Sequence, residues 1–94
     1  MSVFEGNISG SIKSSALNIP STIKSFSLVN KSGGAITVSV YISEADGSDR
    51  AIIPVSVSLG VGEAYISDTV RVVKKNYYIL IVASGSCDYY FTIE

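Results

Sequence analysis

The chain has no histidine, no tryptophan and one cysteine, Cys87, in 94 residues. Without histidine, the Cys–His and Ser–His pairs that activate a nucleophile at neutral pH cannot be built. Protein zinc sites draw on several Cys and His ligands, so zinc is excluded in practice. A lone cysteine allows no intrachain disulfide, which suits a reducing compartment, and Cys87 reads as a small strand residue. Charge is also scarce. Asp, Glu, Lys and Arg make up 16% of the chain, against about 25% in ordinary soluble domains. Seven basic and eight acidic residues leave a net charge of −1, and Lys74-Lys75 is the only adjacent basic pair. No basic stripe is present to follow a phosphate backbone, and no basic amphipathic helix to lie on a membrane, so neither nucleic acid nor membrane is an expected partner. The longest apolar run, residues 77–83, falls far short of the ~20 residues of a spanning helix. Met1–Gly6 lacks the basic and apolar regions of a secretory leader.

What fills the chain is alternation. In Ala35–Ile42 the residues Ile36, Val38, Val40 and Ile42 fall on one face, and Thr37, Ser39 and Tyr41 on the other. Side chains on a strand alternate between faces, so this is a half-buried β-strand. Similar runs predict strands over 22–30, 50–59, 64–67, 69–73, 77–84 and 87–93. The run at 50–59 is interrupted by Pro54, which places it at an edge or a bulge. The apolar run 77–83 reads as a central strand buried on both faces. In 22–30 the phase is inconsistent, because Ile23 and Phe26 cannot share one period-two face. The first 15 residues read either as a weak first strand broken by Gly6 and Gly10 or as an extended arm. Asn30-Lys31-Ser32-Gly33-Gly34 is a hairpin loop in which Asn30 can bond its own backbone two residues on. Ser84-Gly85-Ser86 reads as the last hairpin turn. No stretch shows a helical period. The expected fold is a single all-β domain over 1–94: a small antiparallel β-sandwich, jelly-roll-like, of about eight strands and little or no helix.

Motifs that carry chemistry are few. Glu44, Asp46 and Asp49 crowd one Gly-rich loop, but the EF-hand spacing is missing and the loop reads as a solvated turn. Gly60-Val61-Gly62 lacks the third glycine and the following helix of a phosphate cradle. Asp68 and Asp88 stand without a motif. The chain is therefore read as non-enzymatic, with no catalytic residues, no metal site and no cofactor. The six tyrosines are the remaining signal. In Tyr77-Tyr78 and Tyr89-Tyr90 one ring faces inward and its neighbour outward if both lie on strands. Exposed rings suit an interface, ordinary cross-strand packing or a sugar platform. The candidate interface residues are Phe4, Tyr41, Tyr65, Tyr78 and Tyr90.

Residues 19–94 resemble small β-sandwich proteins of tailed-bacteriophage virions. The resemblance is carried by Ile19-Pro20-Ser21-Thr22, Phe26–Ile42 with its Asn–Ser–Gly hairpin, Ile53-Pro54, Leu59-Gly60-Val61-Gly62-Glu63, and the strand ending at Ser84. Val73-Lys74-Lys75-Asn76 departs from the L-x-x-G-D turn that some of those proteins carry. The resemblance implies a structural protein of the virion, assembled in the host cytoplasm. Its partners would be capsid, neck or tail subunits or further copies of itself. The best fit is a capsid decoration or auxiliary protein. A neck, tail or fibre component and a glycan- or receptor-binding module are the alternatives.

Overall fold

A computed structural model describes residues 2–14, 21–44, 47–68 and 70–94. It contains eight strands: β1 (Ser2–Lys13), β2 (Ser21–Asn30), β3 (Ile36–Ser43), β4 (Asp49–Ala51), β5 (Val57–Leu59), β6 (Ala64–Ser67), β7 (Arg71–Val73) and β8 (Tyr78–Ile93). No helix occurs among the described residues. Every pairing is antiparallel, and hydrogen bonds join all eight strands into one curled sheet. The chain is thus all-β, with the strand number the alternation predicts.

The sheet is organised by β8. One edge of this 16-residue strand pairs with β1 over nearly its whole length. The other edge pairs with β3 through residues 78–83 and with β2 through residues 87–93. Short strands finish both flanks: β4 and β5 beside β3, and β6 and β7 beside β2. Two half-sheets therefore share β1 and β8 within one curled sheet, and their buried side chains form a single core cluster.

Ser84-Gly85-Ser86 is consequently not a hairpin turn. It is a bulge inside β8, where three residues lie against Ser9 alone between the pairs Ile8↔Cys87 and Gly10↔Ala83. An excess of two residues bends the strand and leaves its alternation in phase. Ile79, Ile81, Ala83, Cys87, Tyr89, Phe91 and Ile93 all face the core as a result. Gly85 is required at the bend, since a Cβ there would stand 2.7 Å from Ile36 Cγ2.

A second bulge explains the inconsistent phase of 22–30. Ile23 pairs with Ile93 and Ser25 with Thr92, so Lys24 is the extra residue. It shifts the alternation by one position and turns both Ile23 and Phe26 inward. The run at 50–59 divides at Pro54 into β4 and β5, both paired to β3. Between them Ile53 tucks into the core, and the Ser56 N–H donates to Ser39 Oγ at 2.8 Å. Residues 2–13 form a full strand rather than an arm. The run 77–83 is central, as expected, but buried mainly on one face: Ile79, Ile81 and Ala83 are buried, whereas Val82 is exposed.

The core holds a thiol and a phenol. Cys87 is fully buried, and burial pushes its pKa above the ordinary 9.0, with the Asp88 charge adding and a backbone hydrogen bond at Val29 opposing. Burial likewise raises Tyr89 above its ordinary 10.0. Both groups are acids that hold their protons more tightly when folded. Their contribution to stability is therefore complete below the unfolded values and lost as pH rises through the folded ones. The urea midpoint is expected to stay flat across neutral pH and to fall above pH 9.0, the ordinary value of the thiol. An aromatic disulfide reagent should modify Cys87 at the rate of global unfolding; immediate modification of the native protein would contradict the buried position.

Candidate interaction surface

The outward face of the half-sheet built from β1, β8, β2 and β6 is the candidate site. Directly opposed residues on neighbouring strands lie side by side on one face. The register therefore sets up rows. Glu5, Tyr90, Ser27 and Ile66 form one, and Asn7, Asp88, Val29 and Ala64 the next. Each row crosses four strands and spans about 14 Å. Tyr90 is 45% exposed and Ile66 75%. Val3 on β1 and Val72 on β7 extend this apolar content to either side. The same strands bury Cys87, Tyr89, Phe91, Phe26 and Leu28 on their inner face. The inner face is thus apolar and covered, and the outward face mixes the exposed Tyr90, Ile66, Val3 and Val72 with polar side chains.

Polar groups lie within and beside these rows. Asn7 Nδ2 donates to Asp88 Oδ1 at 2.7 Å and to Ser86 Oγ at 3.0 Å. Lys31 Nζ lies 4.0 Å from the other Asp88 oxygen. The Asp88 carboxylate is held in place from two sides, whereas none of the ion pairs among the described residues involves Glu5. Between them an open concavity is lined by Glu5, Ser27, Val29, Asp88 and Tyr90, with backbone of Gly6 and Tyr89 alongside. It offers carboxylate oxygens as hydrogen-bond acceptors and an aromatic ring beside them.

The tyrosine reading places rings on both faces. Tyr89 points inward and Tyr90 outward, as neighbours on one strand must. Phe4 is half-buried against Tyr89 and Phe91, with ring centroids at 4.8 and 5.9 Å. Tyr65 stacks on Phe26 at 6.1 Å. Tyr41 and Tyr78 lie half-buried on the other half-sheet, opposite Leu80 and Ser43, with Lys13 Nζ 5.5 Å from the Tyr78 ring centroid. Tyr90 is therefore the most open of the five candidates. Ile66, Val72 and Val3 were not singled out in the sequence. In Ala64-Tyr65-Ile66-Ser67 either the Tyr or the Ile could face the core, and only the pairing of Tyr65 with Leu28 decides it.

The loops that suggested ligands serve the fold. Glu44, which heads the acidic loop, receives the Tyr77 hydroxyl at 3.0 Å and lies 3.3 Å from Arg50 Nε. Asp46 falls outside the described residues, among which no cluster of three or more metal-ligating side chains occurs. Gly60-Val61-Gly62-Glu63 is a turn closed by its own glutamate: the Gly60 N–H donates to Glu63 Oε1 at 2.6 Å, and the Glu63 N–H to the Gly60 carbonyl at 3.0 Å. No helix among the described residues is long and apolar enough to cross a membrane. No protein-family model matches the chain, and no curated protein matches it.

Proposed function

We propose that the chain is a non-catalytic structural protein that binds other protein subunits through the outward face of the β1-β8-β2-β6 half-sheet. The observation that carries this reading is the exposed row of Tyr90 and Ile66, flanked by Val3 and Val72, on a half-sheet whose inner face already fills the core. Exposed large apolar side chains gathered on one face among polar ones suit a protein–protein contact. The low charge of the chain agrees with it. The resemblance of residues 19–94 to phage β-sandwich proteins supports a place in a phage-like virion, as an auxiliary or decoration protein on the capsid. A neck or tail position uses the same surface. On a repeating shell many weak contacts of this kind add up.

The test is to find the chain in gradient-purified particles by mass spectrometry, then to add purified protein back to particles lacking it. The double variant Tyr90→Ser/Ile66→Asp alters only exposed side chains. It is expected to keep its circular dichroism spectrum and to lose at least about ten-fold in particle retention. Undiminished retention would move the contact to another face. The concavity beside Tyr90 favours a second reading, capture of a sugar by ring stacking and by donation of its hydroxyls to the Glu5 and Asp88 carboxylates. A glycan array showing saturable binding that Tyr90→Ser abolishes would support it over the subunit contact.

A further inference from the structure

Among the described residues, every edge of this sheet is short except one. β4, β5, β6 and β7 are three or four residues each, and brief edge strands resist unwanted pairing. β1 runs for 12 residues and, among the described residues, pairs only with β8. Its far edge carries unpaired backbone groups. The Ser14 N–H donates to the Ile79 carbonyl at 2.8 Å. By the alternation of an antiparallel ladder, the N–H and C=O of Lys13 and Ser11 therefore turn away from β8 toward the free edge. The burial pattern keeps this alternation along the strand. Val3, Glu5, Asn7, Ser9, Ser11 and Lys13 are all exposed, while Phe4, Ile8 and Ile12 turn inward.

We infer that β1 pairs antiparallel with β1 of a second copy of this chain about a two-fold axis at Ser9. Three features select this occupant and this register. The residues whose backbone faces the free edge are odd-numbered, so the pairing must set odd against odd. Centred on Ser9, it places Glu5 opposite Lys13 of the second copy, twice by symmetry, and neither side chain takes part in an ion pair within the described residues of its own chain. Registers shifted by two residues either way set Lys13 against Val3 or Asn7 instead. On the inward face the same register puts Gly6 opposite Ile12 and Gly10 opposite Ile8, so each isoleucine meets a position without a side chain. The interface is self-complementary, as a two-fold contact requires. It adds roughly ten main-chain hydrogen bonds across five odd-numbered pairs. It also doubles the proposed docking face, since an axis normal to the sheet keeps both outward faces on one side. The pairing stands on β1 alone and does not depend on what that face binds.

Light scattering after size exclusion tests the pairing. The wild-type chain is expected at twice its 9.9 kDa mass. Lys13→Glu should weaken the dimer by at least about ten-fold, because two attractive pairs become repulsive. The charge swap Glu5→Lys/Lys13→Glu should restore it, although it too lacks the lysine over Tyr78. Ser9→Cys should crosslink two chains on mild oxidation, its partner lying about 5.5 Å away across the axis. Ser11→Cys should not, as its symmetry mate stands about 14 Å away. Unchanged circular dichroism confirms folding of each variant. A wild-type chain that stays monomeric at its solubility limit would overturn the proposal. So would a dimer indifferent to Lys13→Glu, or a charge swap that remains monomeric.

Discussion

Phe91→Ala is expected to cost about 4 kcal/mol and to lower the melting temperature by about 20 °C. Phe91 is fully buried on the C-terminal half of β8, with β1 on one side and β2 on the other. Its ring stacks on Phe26 at 4.8 Å and 9°, and Phe4 closes over it at 5.9 Å. Truncation removes the transfer energy of the ring and leaves a cavity that three strands must collapse to fill. Those strands are tied by backbone ladders, so the collapse is incomplete. Phe91→Leu keeps most of the volume and should cost less than half as much. Urea unfolding followed by tyrosine fluorescence reads both. Similar losses for the two variants would mean that the site relaxes freely and the packing is loose. A small domain holds only about 5–15 kcal/mol in total, so the alanine variant should be close to failing.

Asn30→Ala is expected to cost about 3 kcal/mol, well beyond an ordinary polar truncation. Asn30 is 2% exposed at the end of β2. Its Nδ2 reaches the carbonyls of Gly34, Leu59 and Gly60 at 2.9, 3.0 and 3.0 Å, so two hydrogens serve three acceptors. Its Oδ1 accepts the Ser32 N–H at 2.7 Å. One side chain thereby binds the link at 31–35 to the turn at 60–63; the link is not the hairpin its composition suggested, because β2 and β3 do not pair with each other but follow one another along the same edge of β8. Alanine strands these carbonyls, the Leu59 bond among them buried. Asp keeps the acceptor for Ser32 but sets an oxygen against three carbonyls, so Asn30→Asp should be no better than alanine. A markedly milder Asp variant would show that the Ser32 bond alone carries the effect.

Asn30 also shows how far the sequence could be read. Its bond to the backbone two residues on follows from local chemistry, whereas its hold on a turn 30 residues away does not. The same division runs through the fold. The alternation of Ile36–Ile42 and the opposed Tyr89 and Tyr90 are local and legible. The conflict between Ile23 and Phe26 was a real trace of the bulge at Lys24, visible as a broken period. Ser84-Gly85-Ser86 has the composition of a turn, and nothing nearby says that β1 will run alongside both halves and hold it extended. Of the docking face, Tyr90 was visible as half of a tyrosine pair. Ile66 and Val72 were not, because short strands with apolar residues in both phases leave the choice of face to their partners.

The position of β8 bears on how the chain can be made. The first seven strands leave the ribosome before the strand that three of them pair with, and β1 waits longest. Its own pairing partner begins 65 positions after its last residue, by the register of Lys13 with Leu80 and of Ser14 with Ile79. Most stabilising contacts therefore close long loops, a topology that folds slowly and exposes unpaired edges in the interval. Completion of the sheet waits on the synthesis of β8. A nascent chain stalled ahead of Tyr78 should remain open to protease, and protection should arise in one step once the final strand has cleared the exit tunnel.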